Sequence, residues 1–232
     1  MIFTKPAEIE QESMRIIAAE LEARGIVIPE EERAVVMRVI HTTADFDYAA
    51  NLRFTPDAAS QGQAALRGGV IVTDTNMALA GINKAALGRL GCTARCTMAE
   101  AFIAERARER GVTRAAVSVD WAAEHCPGAV FVIGNAPTAL LRLAEHIENG
   151  LRPALVIGVP VGFVNVVESK ERALAVCEKN GLPAIIALGR KGGSNVAAAI
   201  CNALLYGIDK IDSTRRDAYN RAAIEEKEVD SP

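Results

Sequence analysis

One short stretch of the sequence, residues 38–54, combines a histidine with hydroxyl, carboxylate and guanidinium side chains. His41 follows an amphipathic helical pattern that runs from Glu30 to Ile40. Imidazole is the only side chain whose ordinary pKa lies near neutrality, so His41 can donate and recover a proton at pH 7. Its polar neighbours in the stretch are Arg38, Thr42, Thr43, Asp45, Asp47 and Arg53. The alternative interpretation is structural, because a histidine at a helix end can simply bind the last carbonyl groups.

Three loops in the second half of the chain, residues 134–138, 158–163 and 189–194, have the composition of anion-binding sites. Each contains glycine or proline and leads into a predicted helix, whose free N–H groups and dipole attract anions. Arg190 and Lys191 make the last loop a candidate clamp for a carboxylate or phosphate. The candidate binding residues in these loops are Asn135, Gly162, Phe163, Gly192, Gly193 and Ser194. Alternatively, the glycines only permit tight strand-to-helix turns.

Motifs for nucleotides, catalytic metals and serine nucleophiles are missing from the sequence. In residues 189–194 the lysine precedes the glycine pair, so the loop is no P-loop. The other two loops lack the G-x-G-x-x-G spacing of a dinucleotide turn. There is no H-E-x-x-H or G-x-S-x-G motif either. We therefore expect no metal site, and a ligand that is large, multiply anionic and not a standard nucleotide.

The composition predicts one cytoplasmic α/β protein. Half of the 232 residues are hydrophobic and 4% are aromatic, which suits helices packed on a parallel sheet. The 26 basic and 29 acidic residues give a net charge of −3, which argues against nucleic acid as a partner. No apolar run approaches the roughly 20 residues that cross a bilayer, and the N-terminus lacks the pattern of a signal peptide. The five cysteines are an odd set, which we interpret as reduced thiols rather than disulfides or a metal clasp.

Hydrophobic periodicity predicts the elements that position these residues. Helices are predicted by apolar spacing at residues 7–24, 30–40, 57–67, 98–110 and 114–125. Strands are predicted by short apolar runs at residues 70–73, 92–97, 129–133, 154–157 and 184–188. Each of the last three strands is followed by a loop and a helix, which implies parallel strands with right-handed crossovers.

We predict a single three-layer α/β domain over residues 1–212, with about five mostly parallel strands and helices on both faces. The three loops then meet at the carboxyl edge of the sheet, where open parallel sheets bind their ligands. Residues 213–232 are polar and charged, and we expect a helical tail that frays at its end.

Five motifs taken together resemble the precorrin-8X methylmutase family, which includes the cobalt-precorrin-8 methylmutases. The resemblance extends from about Ser13 to Leu205, nearly the whole globular part of the chain. The motifs are RVIHTTADFD at 38–47, TDTNMALAGINK at 73–84, GNAPTAL at 134–140, GVPVGFV at 158–164 and GRKGGS at 189–194. The segments HTTADFD at 41–47 and GINK at 81–84 are slightly more similar to the cobalt branch of the family.

The resemblance implies an isomerase of vitamin B12 biosynthesis that moves a methyl group from carbon eleven to carbon twelve of the macrocycle. The methyl group never leaves the molecule, so no cofactor is implied, and any cobalt belongs to the tetrapyrrole substrate. The family's catalytic histidine falls on His41, and its serine and two arginines fall on Ser13, Arg38 and Arg114. Thr42, Thr43 and Lys84 join the loop residues as expected substrate contacts. The family is homodimeric, with its sites near the subunit interface.

Two alternatives from other classes remain open at this point. A corrin-binding carrier protein would hold the product without turnover, and a nucleotide-dependent α/β enzyme would bind ATP, NAD or S-adenosylmethionine. The group that sets the pKa of His41 also cannot be read from the sequence, and Asp45 is the candidate.

Overall fold

The structure of the protein is a computed structural model that describes residues 4–208. Within these residues, helices α1 to α10 span Pro6–Ala23, Glu30–Thr43, Tyr48–Asn51, Ala58–Leu66, Asn76–Gly81, Lys84–Arg89, Ala101–Arg110, Arg114–His125, Pro137–Glu148 and Val166–Asn180. A further helix, α11, covers residues 194–208. Strands β1 to β6 span Leu52–Phe54, Val70–Thr73, Thr93–Arg95, Val130–Ile133, Leu155–Gly158 and Ala184–Ala187.

The six strands form one sheet in the order β1-β6-β5-β4-β2-β3. All neighbouring strands are parallel except β1 and β6, which are antiparallel with Leu52 opposite Ala187. The predicted fold class is therefore confirmed, and each of the five predicted strands is present. The sequence does not predict the sixth, β1, because three residues with an exposed arginine at the centre are too short to show an alternating pattern.

Alternate residues of each central strand face two different layers of helices. Val130 and Val132 of β4 contribute to a core that includes residues of α1, α2, α4 and α11. Phe131 and Ile133 point to the other face, where they join residues of α8, α9 and α10. Because strand side chains alternate between faces, fully buried strands of this kind need helices on both sides. The three-layer arrangement is confirmed.

Helix α2 is longer than its apolar pattern, and this places His41 inside its last turn. The hydroxyls of Thr42 and Thr43 donate to the carbonyl oxygens of Arg38 and Val39, at 2.9 and 2.8 Å. The helix ends at Thr43, and the next residue, Ala44, caps it with a φ of 53° in the left-handed region. The imidazole therefore has a fixed helical backbone beneath it rather than a loop.

Three further predictions concern the domain boundary, membrane spans and cysteines. The predicted domain boundary at residue 212 and the tail at 213–232 lie outside the described residues. Between residues 4 and 208, no helix is both long enough and apolar enough to span a bilayer. All five cysteines are free thiols.

Candidate functional site at the carboxyl edge of the sheet

Loops that follow β2, β4, β5 and β6 are joined to one another at the carboxyl edge. The hydroxyls of Thr75, after β2, and Ser194, at the start of α11, lie 2.8 Å apart. The N–H of Gly193 donates to the carbonyl oxygen of Val159 at 2.9 Å, which connects the loops after β6 and β5. The sheet edge thus carries one connected surface rather than four separate turns.

Asp74 organises the loop after β4 from beneath. Its carboxylate is 2% exposed and accepts hydrogen bonds from the N–H groups of Gly134, Asn135 and Ala136, each at 2.8 Å. Burial raises the pKa of the Asp74 carboxyl, and the three N–H bonds oppose that rise by stabilising the anion. The prediction that this loop offers free N–H groups to an anion is therefore wrong for residues 134–136. The side chain of Asn135 remains exposed at the same edge.

The loop after β6 needs its glycines for close packing as well as for a turn. A Cβ on Gly192 would lie 2.1 Å from the carbonyl oxygen of Val159, and Gly193 has a φ of +130°. Both positions therefore exclude larger residues. The first turn of α11 begins directly after this loop, and its N–H groups have no partners within the helix itself.

A buried lysine supports the same loop from within the protein. Lys170 of α10 is 0% exposed, and its ammonium donates to the carbonyl oxygens of Gly189 and Lys191 at 2.8 and 2.7 Å. Burial lowers the pKa of Lys170 to about 8. The loop after β6 thus directs carbonyl oxygens inward, whereas the loop after β4 directs N–H groups inward.

His41 is exposed near the end of α2, and within residues 4–208 it makes no hydrogen bond or ion pair. The structural alternative, a histidine that binds the last carbonyls of its helix, does not occur there. The hydroxyls of Thr42 and Thr43 donate instead to carbonyls of the preceding turn, those of Arg38 and Val39. Each threonine hydroxyl donates its only proton to one of these carbonyls. In this arrangement its oxygen can accept a hydrogen bond from a ligand, but the hydroxyl cannot donate one.

An ion-pair bridge connects the His41 stretch to the loop after β6. The Lys191 ammonium lies 2.6 Å from a carboxylate oxygen of Asp45 and 2.7 Å from one of Asp47. Lys191 lowers the pKa of the Asp45 carboxyl through this hydrogen bond, and the two carboxylates raise the pKa of Lys191. Asp45 is therefore a partner of Lys191, and the structure does not support it as the group that sets the pKa of His41. Lys191 is likewise already paired, so Arg190 is the better candidate for a clamp.

Four predicted site residues, Ser13, Arg38, Lys84 and Arg114, lie on four different helices. Arg38 binds Glu10 of α1 at 2.6 Å and stacks over the Tyr206 ring, 5.2 Å from its centroid. The Ser13 hydroxyl donates to the carbonyl oxygen of Ile9, so its proton is also occupied. Lys84 is an exposed residue at the start of α6, beside a cavity of about 440 Å³.

Arg114 begins α8 and is exposed. The residue before it, Thr113, contacts Thr138 of α9 at 2.8 Å between hydroxyl oxygens. Since Thr138 follows β4 by a few residues, this contact places Arg114 at the carboxyl edge, on the side of the loop that carries Asn135.

Apolar side chains are exposed at the same edge, in the loop after β5. Phe163 is 82% exposed and Val164 is 77% exposed, with Val161 at 44%. The Arg190 guanidinium lies 5.5 Å from the centroid of the Phe163 ring. An apolar surface beside cationic groups and N–H donors suits a flat, partly apolar ligand with an anionic rim. Among the described residues no group of three or more His, Cys, Asp or Glu side chains could hold a metal ion.

The sequence matches the family description "CbiC: Precorrin-8X methylmutase" over residues 8–207. The chain belongs to the precorrin-8X methylmutase family. It is 51% identical to the cobalt-precorrin-8 methylmutase of Salmonella typhimurium over 175 residues, which are 75% of this chain and 80% of that protein. It is 42% identical to the precorrin-8X methylmutase of Pseudomonas aeruginosa over 198 residues, with 84% of this chain and 93% of that protein covered.

A solved structure shows the same fold for this methylmutase family. The crystal structure of precorrin-8x methyl mutase from Thermus thermophilus matches with a TM-score of 0.78 and 39% sequence identity, covering 87% of this chain and 98% of that one. The predicted family is confirmed, and the chain is an enzyme of the isomerase class, in cobalamin biosynthesis. A carrier without turnover is not favoured, since the relatives are named as methylmutases.

Asp74 and Lys170 are the two buried charges that sequence reasoning missed as parts of the methylmutase site. Asp74 carries a partial signal, since it directly follows a predicted strand, where polar side chains gather in parallel sheets. Lys170 carries a clearer one. The buried residues Val166, Ala173 and Cys177 of α10 recur at helical spacing, and Lys170 falls on their face.

Proposed function

We propose that this methylmutase moves a methyl group from carbon eleven to carbon twelve of precorrin-8 or cobalt-precorrin-8, with His41 as the general acid and base. The product would be hydrogenobyrinate or its cobalt counterpart. The observation that carries the role of His41 is its position: an accessible imidazole on a rigid helix end, tied by Lys191 to the loop after β6. The names of the relatives support the substrate class.

The chemistry requires one proton, which the enzyme donates to the substrate and later takes back. A methyl shift within the ring needs electrons to be redistributed through the macrocycle, and protonation of a ring nitrogen or adjacent carbon makes this easier. His41 supplies that proton, the methyl group migrates with its bonding electrons, and the imidazole recovers the proton. No atom is gained or lost by the substrate, so we propose that the reaction uses no cofactor.

The carboxylate rim of such a substrate matches the charges at the sheet edge. Arg114 and Arg190 are exposed there, and Arg38 lies on the same helix as His41. Arginine holds carboxylates through paired N–H donors. The exposed Phe163 and its neighbours would cover part of the apolar ring. Ser13, Thr42 and Thr43 can accept hydrogen bonds from the substrate's N–H groups but have no hydroxyl proton to give.

Replacement of His41 tests the proposal directly. We expect His41→Ala to lower kcat by about 10²–10⁴-fold, because that is what one acid/base side chain supplies. Product affinity, measured by absorbance titration, should change little. His125→Ala is the matched control, since His125 also lies at a helix end but stacks on Trp121. If His41→Ala loses less than about tenfold in kcat, His41 is a positioning residue and not the proton donor.

We propose further that the enzyme is a cytoplasmic homodimer and that its substrate carries cobalt. The 51% identity to a cobalt-precorrin-8 methylmutase supports the cobalt branch. A relative whose name does not mention cobalt, a precorrin-8X methylmutase, is 42% identical. The absorption spectrum and metal content of a co-purified corrin would decide between the two substrates. Light scattering would give the number of chains in solution, and a single chain would contradict the dimer.

A further inference from the structure

Lys170 makes an unusual use of a buried charge. Its side chain is 0% exposed, and both of its hydrogen bonds go to backbone carbonyl oxygens instead of a carboxylate. A buried ammonium is costly unless its protons are bound, and apart from Ser169 the other buried residues of α10 are apolar. Both carbonyls belong to one short loop after β6.

The carbonyls that Lys170 binds determine where the N–H groups of the loop point. A trans peptide group is planar, and its C=O and N–H point in opposite directions. None of the described peptide bonds is cis. When the carbonyls of Gly189 and Lys191 turn toward Lys170, the N–H groups of Arg190 and Gly192 must turn away from it.

These two N–H groups are free to bind a ligand. Neither is bonded to another atom of residues 4–208, although the N–H groups of Gly162 and Gly193 nearby are both bonded. Arg190 is exposed and Gly192 is half-buried. Gly192 cannot carry a side chain, since a Cβ there would collide with Val159. A ligand can therefore approach the N–H of Gly192 without a clash with a side chain of that residue.

We propose that Lys170 is a positioning residue that orients the N–H groups of Arg190 and Gly192 as a binding subsite for one carboxylate of the substrate. Lys170 touches no substrate itself. It stabilises the peptide orientation from below, and the carboxylate binds on the opposite side of the loop. This inference rests on the proposed function, because it takes the ligand to be a polycarboxylate tetrapyrrole.

Two variants of Lys170 separate this role from a general contribution to folding. Lys170→Met removes the ammonium and keeps the length of the side chain. Lys170→Gln keeps two N–H donors without the charge, and it remains informative if the methionine variant does not fold. Lys179→Met, at an exposed position of the same helix, is the matched control.

The probe is hydrogenobyrinate, compared with the same corrin after methyl esterification of its carboxylates. We expect Lys170→Met to weaken hydrogenobyrinate binding about tenfold and Lys170→Gln to weaken it less. For the ester, the variants should differ from the wild type by less than about twofold, because the anionic partner is gone. Equal losses for acid and ester would overturn the proposal, since a merely structural role affects both ligands alike.

The wild-type enzyme provides a second readout that needs no substitution. On binding of hydrogenobyrinate, the amide NMR signals of Arg190 and Gly192 should shift more than those of Asn135 and Ala136, which Asp74 holds. Unshifted Arg190 and Gly192 signals would overturn the role of Lys170. A wild-type enzyme that binds no corrin would instead contradict the proposed function, so the two failures are distinguishable.

Discussion

The loop after β4 (residues 134–136) and the loop after β6 (residues 189–193) both connect a buried strand to a helix and both contain glycine. Beneath the first, the Asp74 carboxylate binds three N–H groups. Beneath the second, the Lys170 ammonium binds two carbonyl oxygens. Since each peptide group points its N–H and C=O in opposite directions, the first loop turns the carbonyls of Gly134 and Asn135 away from Asp74. For the same reason, the second loop turns the N–H groups of Arg190 and Gly192 away from Lys170.

The buried partner, not the glycine content, therefore decides which loop can bind an anion. A carboxylate underneath consumes the N–H donors of a loop, and an ammonium underneath leaves them available on the outer side. Both charges are buried, where a charge without hydrogen bonds is costly, and each loop takes a conformation that supplies hydrogen-bond partners. This rule can be tested by removing each charge in turn.

Asp74→Ala should produce the largest effect. It would leave the N–H groups of Gly134, Asn135 and Ala136 without an acceptor, and an unsatisfied buried donor costs about 1–3 kcal/mol. We expect the free energy of unfolding, measured with urea, to fall by about 3–5 kcal/mol in total.

The Asp74→Asn variant tests how many of the three hydrogen bonds one oxygen atom can keep. Two of the three N–H groups bind a single carboxylate oxygen, so the amide oxygen can replace that atom while the bond to Gly134 is lost. The asparagine variant should therefore be intermediate in stability. Glu105→Gln, at an exposed position of α7, controls for the loss of one negative charge. If alanine costs no more than this control, the loop has other acceptors and the contrast with the loop after β6 fails.

A smaller effect is expected from the pH dependence that Lys170 introduces. Burial lowers its pKa from 10.5 to about 8 in the folded protein. Between these values the unfolded chain binds more protons than the folded one, so stability rises with pH. The contribution is fully present above pH 10.5 and is lost as the pH falls through about 8. We expect the free energy of unfolding of the wild type, relative to Lys170→Met, to increase by about 3 kcal/mol across this window.

Urea unfolding of both proteins at several pH values would check this difference, and other titrating groups cancel because they are common to both. A neutral lysine still has two N–H donors for the two carbonyls, so the loop should keep its conformation at high pH. A difference that stays flat between pH 8 and 10.5 would mean that Lys170 is solvated, and the loop would then lack its buried charge.

The sequence predicts most of the scaffold because apolar periodicity reflects burial directly. Helix α8 is predicted to the residue, and the central strands stand out because they are buried on both faces. Strand β1 escapes prediction since its pairing with β6 is a tertiary event with no local pattern.

For the site, residue types identify the loops but not the direction of their peptide groups. The GNAP and GRKGGS segments both predict backbone N–H groups that bind an anion, and they differ in composition only by the two basic side chains of the second. What separates them are contacts of Asp74 and Lys170 with residues 60 and about 20 positions away in the chain. Such pairings arise only when the sheet brings β2 beside β4 and α10 beneath the loop after β6.

The ion pairs of Lys191 are on the surface, in contrast to the buried charges of Asp74 and Lys170. Breaking them should have the smallest effect on stability. Lys191 binds Asp45 and Asp47 on the surface, where ion pairs contribute little to stability. Their expected role is to hold the donor-bearing loop at a fixed distance from His41. We expect Lys191→Met to lower kcat about 3–10-fold with KM nearly unchanged, because a small misplacement slows proton transfer more than it weakens binding.

Asp45→Asn combined with Asp47→Asn should lower kcat by a similar factor. Adding Lys191→Met to this pair should then cost little more, because all three changes break the same bridge. Lys191→Arg, which can reach both carboxylates, should retain most of the activity. If Lys191→Met instead raises KM and leaves kcat unchanged, Lys191 leaves its two carboxylates to bind the substrate. The loop after β6 would then hold the anion with a side chain as well as with its backbone.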